Sequence, residues 1–455
     1  MEFATIDPAT NKVEKKYGFD SKEVLEQKLE KANTAYAAWR KLSIKERGEK
    51  IEKVAQLMEE RKDEFAATLT KEMGKPPHEA QMEVKGAVDG LRMFIKLAED
   101  ALKPEIVEMG YKKAMTVYQP IGVIYSITPW NFPIIVPMQI NVSSMLAGNT
   151  VLYKPAPSTP HTGELLGKLF ADAGLDGEFG VTYASTDDTE FIISHKYVKG
   201  VNFTGSTAAG KIVASIAGKH MKKCHMELGG SDPFIVLDDA DIEKAVQVVV
   251  MTRLLNCGQV CISPKRIIVL KDIYEEFKEK VVGTIRKVLE TAQLGPIARA
   301  DLHDGLKKQV LKTIEAGAKV AFGDIDQLNE PSGVEGKGNF FSPIVLEGVT
   351  KENPGFFWEF FGPVFVLYQV ENQEEAVQLA NAVEYGLGGA VFSKSEERAE
   401  QVAMEVETGS MTINAPFFPH FSLPFGGTKS SGYGRDGGAH GFQEFTNIKS
   451  VAIPN

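Results

Sequence analysis

A chain of 455 residues is longer than one hydrophobic core usually serves, so two or three domains are expected. Its 43% hydrophobic and 25% charged residues are ordinary for a globular protein, and 51 Lys+Arg against 61 Asp+Glu give a net charge of -10. That balance argues against a nucleic-acid partner, which favours a basic surface, and leaves open an anionic small ligand held by local positive charge. Three cysteines, Cys224, Cys257 and Cys261, form an odd, sparse set that reads as free thiols in a reducing compartment. The opening residues lack the basic and apolar regions of a signal peptide. No apolar run reaches the roughly 20 residues that cross a bilayer; the best stretch, 121–140, is broken by Pro129, Pro133 and Pro137. A cytoplasmic protein without a membrane partner is expected.

The first hundred residues read as helical. Asp20 with Glu23, and Ser43 with Glu46, have the spacing of a capping box. Val84, Val88, Leu91, Ile95, Ala98 and Leu102 form one apolar stripe of a helix, set off from its predecessor by Gly74, Pro76 and Pro77. From Met115 the texture changes. Short β-branched runs at 122–127, 150–153, 200–203, 233–237 and 266–270 alternate with helical segments such as 163–173, 207–217 and 242–255. This alternation predicts a doubly wound parallel α/β sheet, with ligands beyond the carboxyl ends of its strands. Further helices are expected near 273–289 and 306–316, an exposed loop over 324–339, and loop rather than helix in the Gly-, Pro- and aromatic-rich tail 416–441.

Within this frame a few stretches carry chemistry. Asn256-Cys257-Gly258-Gln259-Val260-Cys261 offers a thiol among small and amide residues, and Glu227-Leu228-Gly229-Gly230 offers a carboxylate where backbone can approach a ligand. A thiolate attacks electrophilic carbon well and a carboxylate can move the protons that follow, although a lone Cys more often simply packs. Phe203-Thr204-Gly205-Ser206 follows a strand and opens a helix, which suits a pyrophosphate, yet no G-x-G-x-x-G fingerprint occurs. Lys154 ends a strand before Pro155 and could bond ribose hydroxyls or a phosphate. Asn131, in Pro129-Trp130-Asn131-Phe132-Pro133, has an amide that could donate to an oxyanion. There is no H-E-x-x-H, no C-x-x-C and no P-loop, so no metal site is expected.

In this order, these stretches together with Lys154-Pro155-Ala156, Glu359-Phe360-Phe361-Gly362-Pro363-Val364 and Pro424-Phe425-Gly426-Gly427 resemble the aldehyde dehydrogenase superfamily over nearly the whole chain. The look is that of the short bacterial succinate-semialdehyde dehydrogenases. The resemblance implies a doubly wound cofactor domain (1–110 and 125–228), a catalytic α/β domain (229–425) and a small β oligomerisation arm (111–124 and 426–455), hence a homodimer or homotetramer. It implies Cys261 as the nucleophile, Glu227 as the general base and Asn131, with the backbone N–H of Cys261, as the oxyanion donor. For the cofactor it implies Lys154 at the adenine ribose, Glu359 at the nicotinamide ribose, Phe361 against the nicotinamide and Ser206 at the pyrophosphate. Thr128, Pro129, Trp130, Ser158, Gly205 and Leu228 would complete that site.

Three positions depart from the family pattern. Pro157, followed by Ser158, stands where NAD-preferring members often carry Glu, so NADP is favoured and NAD is the alternative. Gln139 stands where short semialdehyde members often carry Arg. The loop 417–423 is notably aromatic. The last two favour a less polar aldehyde substrate. Two other readings are an enzyme that passes the acyl group to coenzyme A, and a catalytically silent relative; Glu227 argues against the first, intact Cys261, Glu227 and Asn131 against the second.

Overall fold

The computed structural model describes residues 2–329 and 333–455. It opens not with a helix but with a hairpin, Phe3–Asp7 against Lys12–Tyr17. The second strand, KVEKKY, lies almost wholly on the surface, so its composition carries no apolar alternation. Four helices follow: Lys22–Trp39, Ile44–Glu60, Lys62–Met73 and Pro77–Leu102. Ser43 and Glu46 form the expected capping box. Asp20 does not cap its helix; Ser21 does, accepting from the Val24 N–H. Asp20 instead accepts from Thr182 Oγ1 at 2.7 Å and Tyr183 N at 2.9 Å, and so ties the helix to the sheet behind it. The Lys62–Met73 helix ends on Gly74 at φ 77, and Pro77 starts the next, whose apolar stripe packs into the core.

Two large sheets carry the rest. A six-stranded sheet runs in the spatial order Gly432–Tyr433, Lys223–Glu227, Val198–Thr204, Val123–Ile127, Thr150–Lys154 and Phe179–Val181, parallel except for its first strand. A seven-stranded sheet runs Lys319–Phe322, Ile344–Glu347, Val364–Val370, Pro264–Leu270, Asp232–Val236, Ala390–Phe392 and Thr412–Ile413, again antiparallel only at its first strand. The strands are apolar on both faces because helices cover both, as in any mostly parallel sheet. A third sheet, antiparallel and three-stranded, joins Thr446–Ile453, Lys113–Pro120 and Glu105–Ile106.

The tail 416–441 is not all loop: it holds the strand pieces Thr428–Lys429 and Gly432–Tyr433 and begins the short helix Gly438–Gln443, which packs its Phe442 inside together with Phe445 just beyond it. Within the expected loop 324–339 a 3-10 turn forms over Asp326–Asn329, while 330–332 lie outside the described residues. Among the described residues no helix is long and apolar enough to cross a membrane.

The two large sheets meet the site from opposite ends. Glu227 ends its strand, and Thr128, Lys154 and Gly205 lie at or just past strand ends in the first sheet, as the rule for parallel sheets expects. The second sheet contributes otherwise. Cys261 precedes the strand Pro264–Leu270, and Gly230 precedes Asp232–Val236, so this sheet turns amino ends toward the site. The expectation that the reactive residues follow strands therefore fails for the thiol.

Candidate active site

The helix Ile242–Leu254 ends in a turn in which Asn256 (φ 51), Cys257 (φ 53) and Gly258 (φ 73) are all left-handed. Non-glycine residues avoid that region at a cost of about 1 kcal/mol or more each, so surroundings must hold them there. Asn256 N donates to Glu79 Oε2 at 2.9 Å, and its side-chain amide donates to the carbonyls of Asn131 and Gln259. Gln259 spans the loop, donating to Asn256 O at 2.9 Å and accepting from Ala298 N at 2.9 Å. At Gly258 a Cβ would lie 2.3 Å from the Gly362 carbonyl. Buried Arg253 clamps the neighbouring loop, donating to Val364 O at 2.8 Å, Phe360 O at 2.7 Å and Ser263 Oγ. The outcome separates the two thiols: Cys257 is buried in the apolar core, and Cys261 is half-buried at a cavity wall.

That cavity, of about 280 Å³, gathers most of the stretches singled out in the sequence. Cys261, Glu227 and Asn131 line it, and so do Pro129, Trp130, Gly205, Ser206, Leu228, Glu359 and Phe361. Thr128, Lys154 and Ser158 do not. Thr128 is buried with its hydroxyl 3.3 Å from Tyr153 OH, while Lys154 ends the strand Thr150–Lys154 and Ser158 lies in the turn that follows it.

Asn131 is held on both sides. Its carbonyl accepts from Lys75 Nζ at 3.0 Å, and Lys75 forms a fully buried ion pair with Glu83. Glu83 also accepts from the N–H groups of Ile134 (2.9 Å) and Ile135 (3.2 Å), at the start of the helix Ile135–Leu146. The Asn131 amide donates to Gln259 O at 3.1 Å, which engages one of its two hydrogens. Across the cavity Lys265 Nζ donates to the carbonyls of Val260 and Cys261 and pairs with Glu359 at 3.2 Å. Glu359 in turn accepts from Gly230 N at 3.2 Å. A Cβ on Gly229 would meet Glu359 Oε2 at 2.5 Å, and one on Gly230 would meet Cys261 O at 2.8 Å. The two glycines permit this close packing.

Burial sets the protonation states. It pushes the Cys261 thiol up to about 12, with Lys265 pulling the other way. Burial and then the Asp436 carboxyl hold Glu227 well above the usual carboxylate range. Asp436, also at the cavity wall, is pushed up to about 8 by burial and by Glu444. At neutral pH the resting site thus holds a thiol rather than a thiolate, beside carboxyls reluctant to ionise.

The Lys154 ammonium is buried 5.0 Å from the Phe3 ring, and among the described residues no carboxylate pairs with it. Burial lowers it to about 8. Ser158 Oγ is likewise without a partner. Unpartnered polar groups of this kind suit the hydroxyls and phosphate of a nucleotide. Among the described residues no cluster of His, Cys, Asp or Glu is placed to hold a metal ion.

Sequence reasoning missed Asp436, His225, Lys75, Glu83 and Lys265. Each is a charged or titratable residue whose burial is created by the fold, and only the flanking glycines of Asp436 hinted at a site. The aromatic loop also behaves differently from expectation. Phe417 packs against Phe425, Phe421 against Phe94, and Phe418 faces solvent; of the aromatics in this region only Phe425 lines the cavity.

The chain matches the aldehyde dehydrogenase family over residues 1–451. It is 39% identical to a succinate-semialdehyde dehydrogenase [NADP(+)] of Deinococcus radiodurans, over 99% of this chain and 94% of that one. It is 36% identical to a succinate semialdehyde dehydrogenase [NAD(P)+] of Escherichia coli, over 98% and 97%. The structure of succinic semialdehyde dehydrogenase from Streptococcus pyogenes in complex with NADP+ superposes with a TM-score of 0.95 at 35% identity, covering 100% of both chains. With a match of this extent, the chain belongs to the aldehyde dehydrogenase family and is an NAD(P)-dependent oxidoreductase acting on an aldehyde.

Proposed function

We propose that this enzyme oxidises a small unbranched aldehyde with a polar far end, succinate semialdehyde being the first to test, and that it prefers NADP while accepting NAD. The observation that carries the reading is the convergence of Cys261, Asn131 and Glu227 on one cavity. The names of relatives at 36% and 39% identity support the substrate class. The unpartnered Gln139 amide nitrogen at the cavity wall would serve the far end of the substrate. None of the residues lining the cavity is Lys, Arg or His, which favours a neutral polar group as the second reading.

In this scheme the Cys261 sulfur, once deprotonated, adds to the aldehyde carbon. The free hydrogen of the Asn131 amide and the Cys261 backbone N–H receive the oxyanion. A nicotinamide held against Phe361 would supply the hydride acceptor, and its chemistry would leave the acyl group as a thioester on the Cys261 sulfur. Glu227 takes a proton from water, whose oxygen replaces sulfur at the acyl carbon and returns the thiol. Lys154 and Ser158 would hold the adenosine ribose and its 2′-phosphate, and Glu359 the nicotinamide ribose. Phe361 would lie against the nicotinamide, Gly205 and Ser206 at the pyrophosphate, and Thr128, Pro129, Trp130 and Leu228 would form the remaining wall. Transfer to coenzyme A and a silent role are not favoured.

The same reading divides the chain into a cofactor domain (1–110 and 125–228), a catalytic domain (229–425) and an arm (111–124 and 426–455) that joins subunits into a dimer or tetramer. Its three unpaired cysteines support a cytoplasmic setting. The test is absorbance of reduced nicotinamide with succinate semialdehyde and with its carboxamide analogue, a four-carbon aldehyde whose polar far end is uncharged. A higher kcat/KM for the semialdehyde is expected; a higher one for the uncharged aldehyde establishes the second reading, and no turnover of either overturns both.

A further inference from the structure

Behind Glu227, on the same strand, His225 is fully buried. Its Nδ1 lies 2.7 Å from Asn202 Oδ1. The Asn202 amide nitrogen donates to Ser126 Oγ at 3.1 Å, which orients the amide so that its oxygen faces the ring. Nδ1 therefore carries the hydrogen, and Nε2 presents a lone pair. That lone pair points at two carboxyls, with Asp436 Oδ1 at 3.5 Å and Glu227 Oε1 at 3.9 Å. All three atoms are buried, and none has a hydrogen-bond partner. Three orphaned polar atoms facing one another mean that at least one proton belongs between them.

We propose that His225 is a positioning residue that accepts a hydrogen bond from protonated Asp436, keeping the proton of this carboxyl pair on Asp436 and leaving Glu227 free to act as the base. The proposal rests on the reading of Glu227 given above. Two close buried carboxyls resist ionising together, so in the neutral range the pair retains one proton. Its location is decided by whichever carboxyl has an acceptor for its O–H. The His225 lone pair lies nearer Asp436 than Glu227. His225 itself stays neutral: burial first, and then the Arg435 cation, lower it to about 3. The other charged groups facing this pocket are Arg435, which donates to the carbonyls of Gly427 and Gly434, and Glu444, which accepts from Arg435 N at 3.1 Å. Neither gives Asp436 an acceptor for its proton.

Without the imidazole, the proton is shared between the carboxyls. Glu227 is then free only after the pair loses its last proton, at higher pH. In H225V the acid limb of steady-state kcat should move up by about one pH unit, a roughly tenfold loss below the limb. The burst of reduced cofactor should persist, because acyl formation precedes the step that needs Glu227. H225Q, whose amide can accept at one end and donate to Asn202 at the other, should recover most of the loss. In H225V/D436N the shift should vanish, since no shared proton remains.

An unmoved limb in soluble H225V overturns the proposal. A second measurement needs no aliphatic variant. In ¹⁵N-histidine spectra, the signal missing from H225Q should be that of a neutral ring protonated at Nδ1 from pH 6 to 9 (roughly the working range of such a pair). A ring protonated at Nε2, or one that titrates there, overturns it. Failure of the Glu227 reading is distinguished by E227Q: if that variant keeps its steady-state rate, the base lies elsewhere whatever the state of His225.

Discussion

Cys261 illustrates what a residue's surroundings demand of its neighbours. A thiol held near 12 is almost wholly protonated at pH 7, so attack on a carbonyl needs a base, a nearby charge or both. C261A should abolish turnover while nucleotide binding, measured by fluorescence titration, stays within about twofold, since the sulfur contributes to bond formation rather than to the cofactor walls. C257A should fold and turn over at a near-normal rate, because that sulfur faces the core. Glu227 gives the pH dependence its sign. Its carboxyl is raised by burial and by Asp436, and only the ionised form accepts a proton from water. Activity should therefore rise with pH along an acid limb that lies above the ordinary carboxylate range, and stopped-flow traces of E227Q should show a burst followed by turnover slowed about a hundredfold or more. The thiol and the carboxylate were legible in the sequence because each sits in a short motif beside glycines. His225 and Asp436 were not, because an imidazole and a carboxyl become informative only once folding buries them against each other. Cofactor choice belongs to this scale too. Pro157→Glu would place a carboxylate near Lys154 and Ser158, and should raise the KM for NADP far more than that for NAD, as initial rates with both will show.

At the scale of elements, the turn that carries Asn131 depends on a pair of charges from another helix and the turn that leads into it. Lys75 lies between Gly74 and Pro76, before the helix Pro77–Leu102 begins, and Glu83 lies on that helix. Their buried pair bonds both the Asn131 carbonyl and the first N–H groups of Ile135–Leu146. K75M would leave Glu83 buried and unpaired. That change should cost about 3–5 kcal/mol of stability and should also lower kcat, because the Asn131 turn loses its anchor. Thermal melts and steady-state rates on the same preparation check both. A lowered Tm with unchanged kcat would show that Asn131 is held sufficiently by Gln259. Sequence periodicity shows the helix that carries Glu83, since its apolar stripe recurs at helical spacing. It does not show the anchor, which connects residues 56 apart. The same limit explains the opening hairpin and Asp20, whose partners Thr182 and Tyr183 are far away in the chain.

For the whole molecule, the informative feature is an edge. The strand Thr446–Ile453 pairs along all eight residues with Lys113–Pro120 on one side, and among the described residues no strand pairs with its other side. Long open edges attract further strands, and natural proteins usually cover or blunt them. This one is not blunted by proline within the strand, and its sheet exposes Ile448 (61%), Ile106 (64%) and Ile453 (46%), with Met109 (55%) and Tyr111 (47%) in the adjoining turn. By register Ile106 and Ile453 lie on one face of this sheet and Ile448 on the other; apolar side chains exposed on both faces beside an unpaired edge are what a second copy of the chain would cover, so a dimer, or a dimer of dimers, is the expected state. Substituting I448K together with I106K adds charge to both faces of the sheet without touching the cavity. Light scattering at micromolar concentration should then give the monomer mass, where the parent gives at least twice that value. A parent protein that is already monomeric would refute the expectation. If the double variant stays assembled, the contact lies on another face. Assembly also bears on the site through the backbone: the strand Thr446–Ile453 is preceded by the helix Gly438–Gln443, which starts only two residues beyond Asp436. Loss of the partner should therefore loosen the wall that Asp436 forms, and the monomeric variant should lose kcat while retaining its affinity for NADP.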